Sequence, residues 1–370
     1  MRRKGGRWQR VTAVALLVWL ALSPIALAEE EHPDLGYFTV LDAEGKVLLR
    51  TCHRLHVGDQ FMDAQGRVHV VVTVEGDAAH ARPVDSWRLD DIGPAAWGGQ
   101  WGPGLTTVVD PVASSPLSVA IYHTHTDESF VPSEGRASVE GKGGVVRVGC
   151  ALTEQLERLG VSVHHEDTTH LPHDALAYDR SRRTAVALLK RRPAAIFDVH
   201  RDTAPPEDVT AEVDGEEVAR ILLVVGRQNP NVRANLGFAR RLKEEVDRRY
   251  PGLMRGILLA SGKYNQDLHP RLLILEVGSH QVSRSQAERA ARLLAGVLPD
   301  TLAAVAPGAR AESRGAWSAV IWLLVVTAVA VFGFLWITEG SWEAAWRRLR
   351  SFLRREAGLG AGERREEGRR

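Results

Sequence analysis

From residue 117 onward, short apolar runs rich in β-branched residues alternate with longer stretches whose apolar positions recur every three or four residues. The short runs predict buried strands at 117–122, 161–163, 194–199, 220–225, 255–259 and 272–277. The longer stretches predict helices at 145–159, closed by Gly160, at 175–191, broken by Pro193, at 230–250, ended by Pro251-Gly252, and at 283–298, with Ser283 as cap. Such alternation predicts an α/β fold with a mostly parallel central sheet flanked by helices. Upstream, runs at 37–41 and 46–49 flank the turn Asp42-Ala43-Glu44-Gly45, and runs at 60–62 and 68–72 flank Asp63-Ala64-Gln65-Gly66. These predict two hairpins. Residues 89–116 are rich in Gly, Pro and Trp, as connecting segments are. The expected organisation is a small N-terminal β-rich segment at 37–88, a linker at 89–116 and an α/β domain at 117–300, long enough to bury its own core.

Two further stretches are apolar with no such alternation. Residues 11–28 follow Arg2, Arg3, Lys4, Arg7 and Arg10 and end in Ala26-Leu27-Ala28 before Glu29-Glu30-Glu31. A basic flank, an apolar run and a small-x-small site predict a secretory signal at 1–28, cleaved or kept as an anchor. Residues 316–337 carry no charge. At about 1.5 Å per residue they reach roughly 33 Å, enough for a bilayer core of about 30 Å. Trp317, Trp322 and Trp336 suit a transmembrane helix. The tail at 338–370, with Arg347, Arg348 and Arg350, is basic near the helix and belongs on the cytoplasmic side, as does the N-terminal flank. Both segments predict the same topology, with the bulk of the chain outside the cell membrane.

The formal net charge of +1 hides an asymmetry. Once residues 1–10 and 339–370 are set aside, 33 basic groups face 40 acidic ones. That balance argues against a nucleic-acid partner, which calls for a basic stripe or patch. The two cysteines, Cys52 and Cys150, make no zinc motif.

The candidate chemistry lies at the ends of predicted strands, where ligands of open α/β sheets gather. Tyr122-His123-Thr124-His125-Thr126-Asp127-Glu128 follows the first, Asp198-Val199-His200-Arg201-Asp202 ends the third, and Leu275-Glu276-Val277-Gly278 ends the last. Two imidazoles, a carboxylate and a water form the ligand set of a hydrolytic zinc site. His123 and His125, spaced i and i+2, share one side of a strand, so both could bind one metal; in a turn, one binds while the other orients. Glu128 stands three residues after His125, and Asp198 or Asp202 is placed to fix the tautomer of His200. Glu276 is a lone carboxylate in an apolar strand, where desolvation raises a carboxyl pKa and suits a general base. His164, His165, His170 and His173 lack this strand-end placing and read as loop or surface residues.

Taken in order, several blocks resemble the stage II sporulation protein P family of cell-wall hydrolases. They are Ile121 to Pro132, Val146-Arg147-Val148-Gly149, Asp198 to Asp202, Val225-Gly226 with Asn229-Pro230, Asn235-Leu236-Gly237-Phe238-Ala239, Tyr250-Pro251-Gly252-Leu253, and Tyr264-Asn265-Gln266-Asp267-Leu268 leading to Glu276. The resemblance covers about residues 117–298. It implies a fold like that of zinc-dependent N-acetylmuramoyl-L-alanine amidases, with Zn2+ as cofactor. It implies His125 and His200 as imidazole ligands, Glu128 as the carboxylate ligand, with Glu140 as the alternative, and Glu276 as the catalytic carboxylate. Arg201 or Asn265 is the candidate to position substrate. The implied substrate is peptidoglycan, cut at the amide between the muramic lactyl group and L-alanine and at peptide cross-links. The implied place is the septal membrane engulfing the forespore, with stage II sporulation proteins D and M as partners. A zinc peptidoglycan carboxypeptidase and a non-catalytic wall-binding scaffold are the rivals. The β-rich segment and the C-terminal helix depart from the family pattern, and neither is expected to touch the site.

Overall fold

The computed structural model describes residues 35–89, 117–174 and 176–305. The expected signal, most of the linker, the transmembrane stretch and the basic tail lie outside them. Among the described residues, no helix is long and apolar enough to cross a membrane. The chain runs β1 (Phe38–Leu41), β2 (Val47–Thr51), β3 (Gln60–Asp63), β4 (Val68–Glu75), β5 (Ala78–Val84), β6 (Ser118–Tyr122), α1 (Val131–Glu134), α2 (Gly144–Arg158), β7 (Ser162–His165), α3 (Ala177–Leu189) and β8 (Ala195–Asp202). It continues through α4 (Pro206–Val209), β9 (Thr210–Val213), β10 (Glu216–Ala219), β11 (Ile221–Gly226), α5 (Val232–Arg249), β12 (Met254–Ala260), β13 (Leu272–Ser279), α6 (Arg284–Ala295) and α7 (Leu298–Val305). Ser283 caps α6 in a capping box with Gln286, as its position predicts.

Eleven strands form one sheet in the order β2-β1-β5-β4-β3-β12-β11-β13-β8-β6-β7. The expectation of a mostly parallel sheet is corrected: it is mixed, with five of its ten neighbouring pairs parallel. The connections explain the difference, because parallel neighbours need a crossover, usually helical. Helices α2, α3 and α5 supply such crossovers among β6, β7 and β8 and between β11 and β12. Residues 261–271, between β12 and β13, hold only a 3-10 turn, Gln266–Leu268, and the β9–β10 hairpin fills the path from β8 to β11. Accordingly β13 runs antiparallel to β11 and parallel to β8.

One face of the sheet packs on α2, α5, α6 and α7 through residues such as Val145, Leu152, Leu236, Leu242, Leu294 and Leu302. The other face is covered differently. Helix α3 lays Ala185 and Leu188 against Ala120, Tyr122, Ile196 and Leu272. Beside it Phe38, Val40, Leu49, Val71 and Ala79 pack in one cluster with Leu222, Val224, Leu258 and Ile274. The N-terminal strands therefore extend the sheet through the β3–β12 pairing and also cover its second face. Gly256 makes that join feasible. Its φ is +153°, and a Cβ there would lie 2.1 Å from the Met62 carbonyl oxygen of β3.

Candidate metal centre

Strands β6, β8 and β13 are parallel neighbours, so their carboxyl ends meet at one edge. The register pairs Tyr122 with Asp198 and His200 with Glu276. Side chains alternate along a strand. Phe197 and Val199 therefore join the larger core, while Ile196 packs toward α3. Asp198 and His200 share the face of Ile196, under α3 and the N-terminal strands.

His125, Glu128 and His200 converge there, all buried. Glu128 Oε1 lies 3.5 Å from His125 Nδ1 and 3.3 Å from His200 Nδ1. Its other oxygen accepts the backbone N–H of Arg201 at 2.9 Å. His200 Nε2 lies 3.0 Å from Asp198 Oδ1. Asp198 in turn accepts from the Thr124 backbone N–H at 2.8 Å and the Thr124 hydroxyl at 2.5 Å, which anchors the loop carrying His125. Burial alone pushes the Glu128 carboxyl up, but His200 and Arg201 outweigh it and hold it well below the usual carboxylate range. Burial likewise opposes a charge on His200, yet Asp198 and Glu128 push that imidazole well above its ordinary value. The pocket thus favours positive charge where the two imidazoles and Glu128 meet. Two imidazoles and a carboxylate are the donor types of a zinc site. Glu140, the alternative carboxylate, is exposed.

His123 sits differently. Its Nδ1 donates to Val199 O at 2.8 Å, and its Nε2 is 2.9 Å from Nε2 of His165. Burial and the neighbouring His165 hold its pKa down at about 3. Helix α2 can pass this close because residue 149 is glycine: a Cβ there would lie 2.6 Å from His123 Nε2.

The reading of this group as loop or surface residues holds for His173, an exposed loop residue, and is corrected for His165, which ends β7, and for His170, which is buried. His165 bonds His123; His170 is buried, contacting the His123 carbonyl at 2.9 Å and the Thr184 hydroxyl at 2.8 Å. His173 is exposed, stacks on His125 at 3.8 Å and bonds Asp127 at 3.1 Å. Donor atoms of His125, Glu128 and His173 lie within 4.8 Å of one another, a grouping able to hold a metal in which His173 stands where His200 was expected. The closely spaced histidines at the end of β7 and after it were the available signal.

Glu276 is buried in β13, and burial raises its carboxyl pKa although His53 and His200 pull the other way. Its Oε1 pairs with His53 Nε2 at 2.8 Å, while Oε2 makes no hydrogen bond. The expectation that the β-rich segment stays clear of the site is therefore corrected: His53 belongs to that segment, just after β2. Cys52, His53 and Glu276 also place their donor atoms within 4.8 Å of one another. Asp202 faces this segment, accepting from the Thr51 hydroxyl at 3.0 Å, Cys52 N at 2.7 Å and Arg255 Nη1 at 2.6 Å. The Arg201 guanidinium is buried and reaches Ala137 O at 3.3 Å. Asn265 is buried and donates to Tyr178 O at 2.9 Å and to Ser181 Oγ at 3.1 Å. No motif marked His53.

The family model described as stage II sporulation protein P matches residues 103–299. The curated stage II sporulation protein P of Bacillus subtilis (strain 168) is 32% identical over 201 residues, which cover 49% of this chain and 50% of that protein. The chain thus matches about half the length of that relative. Among solved structures, N-acetylmuramoyl-L-alanine amidase AmiC2 of Nostoc punctiforme is similar at a TM-score of 0.33 and 15% identity, covering 51% of this chain and 99% of that one. The CwlD amidase from Clostridioides difficile, in complex with the GerS lipoprotein, is similar at 0.37 and 10%, covering 50% and 98%. Both scores are too low to establish a shared fold.

Proposed function

The chain belongs to the stage II sporulation protein P family, and from that premise we propose that it is a peptidoglycan hydrolase, a zinc-dependent N-acetylmuramoyl-L-alanine amidase that also cleaves peptide cross-links. One observation carries the reading. His125 and His200 converge on a single Glu128 oxygen, while Glu276, in register with His200, is buried and keeps one oxygen without a hydrogen bond. His125, Glu128 and His200 are the proposed ligands. They would hold a zinc ion, which would supply a Lewis acid for the scissile carbonyl. His200 is preferred to exposed His173 because it is buried, with Nε2 3.0 Å from Asp198 and Nδ1 facing Glu128. His123 acts as a support, since both of its ring nitrogens are engaged. The Arg201 backbone N–H keeps Glu128 turned toward the imidazoles.

Glu276 takes the proton of the attacking water and returns it to the leaving amine. A carboxyl whose pKa is raised by burial gives such a proton back more readily than an exposed one. The proposed setting is the membrane engulfing the forespore, with anchoring through residues 316–337, residues 1–28 serving as a cleaved signal or a second anchor, and with stage II sporulation proteins D and M as partners.

The test uses the full chain in detergent on purified peptidoglycan, with products identified by mass spectrometry. Glycan strands freed of peptide are expected. Their release should stop with a chelator, resume with zinc, and be lost in His200→Ala and Glu276→Gln. His173→Ala is expected to retain zinc and most of the activity. Trimmed stem peptides alone would indicate a carboxypeptidase. Intact peptidoglycan, even with stage II sporulation protein D added, would leave the scaffold reading.

A further inference from the structure

Glu276 receives its hydrogen bond from outside the α/β layers that surround it. His53 follows β2 in the N-terminal segment, yet its Nε2 reaches Glu276 Oε1 at 2.8 Å, and both side chains are buried. The backbone around His53 is tied down on the N-terminal side. The Thr51 hydroxyl and the Cys52 N–H both donate to Asp202, the last residue of β8 and two along from His200. Arg255 of β12 donates to the other Asp202 oxygen at 2.6 Å and to the Arg50 carbonyl. Tyr264 packs edge-on to the His53 ring at 5.9 Å between centroids. These contacts fix where the imidazole stands relative to the strand ends of the site.

We infer that His53 is a positioning residue of the hydrolytic site: by donating to Glu276 Oε1, it holds the carboxylate so that Oε2 meets the reacting water. The inference rests on the reading of Glu276 as the general base. It makes the N-terminal β-rich segment a working part of the site. A carboxylate in a buried strand has few donors within reach, and without one it reorients or stays protonated. His53 supplies that donor from a chain segment over two hundred residues away.

The test compares two variants of the zinc-loaded full chain, matched for folded fraction by thermal melting. His53→Phe keeps a ring and removes the donor; His53→Gln removes the ring and keeps a donor. His53→Phe is expected to lower kcat about 10- to 100-fold, as the loss of an orienting partner does, with KM and zinc content near wild type. His53→Gln is expected to retain most of kcat. Wild-type kcat in His53→Phe overturns the inference, and so does the reverse ranking of the two variants. So does a second zinc per wild-type chain that is lost in both His53→Phe and Cys52→Ala, since His53 would then be a ligand. An inactive wild type sinks the hydrolase reading and this inference together. An active wild type beside an indifferent His53→Phe sinks the inference alone.

Discussion

His123 and His125 stand two residues apart and do different work, and the difference is set by what surrounds each ring. Strand β6 ends at Tyr122, so the i, i+2 relation of a strand no longer governs the pair. His123 turns in toward Val199 and His165, whereas His125 meets Glu128 and His173. The residues themselves were legible from the strand-end pattern, and so was the raised carboxyl of Glu276. The division of labour was not, because it depends on Gly149 of α2 and on His165 across the sheet edge. Replacing Gly149 with Ala puts a carbon into the His123–His165 pair. Overpacking of this kind costs about 1–3 kcal/mol, which a urea midpoint of the zinc-free protein should register. A midpoint unchanged from wild type would mean that the pair yields freely.

Among the elements, the parallel half of the sheet was readable because helical and strand periods alternate from residue 117. Both N-terminal hairpins were readable from their Gly-closed turns at Gly45 and Gly66. Strand β5 and the β9–β10 hairpin were missed, since His80, Pro83 and the acidic run at 212–217 dilute the apolar signal. The destination of the hairpins was also hidden: no local pattern states that β3 will pair with β12. The Arg255–Asp202 pair fastens that arrangement, with both side chains buried. Arg255→Met should therefore destabilise the protein by about 3–5 kcal/mol, because it strands a buried carboxylate. The double variant Arg255→Met with Asp202→Asn should recover part of the loss in thermal melting; no recovery would show that the two residues act separately.

At the scale of the whole molecule, buried neutral histidines tie stability to pH. Burial holds His269 at about 4, against about 6.5 in an unfolded chain. Below the unfolded value the unfolded state binds more protons, so this group's contribution falls as pH drops from about 6.5 toward 4, by at most about 1.4 kcal/mol per pH unit. His200 works in the opposite sense, its pKa being raised, so the comparison must be with a variant. His269→Gln should flatten the fall of the urea midpoint relative to wild type over that range; parallel curves would dismiss the linkage. The joining of N-terminal strands to the far side of the sheet carries a consequence for the chain as it is made. His53 emerges early and Glu276 late, and the hydrogen bond between them closes a loop spanning most of the described chain. Loops of that size close slowly and late in folding. On the proposed reading, an unfinished chain holds no finished hydrolase, so cutting power arises only once synthesis and folding have both passed the last strand.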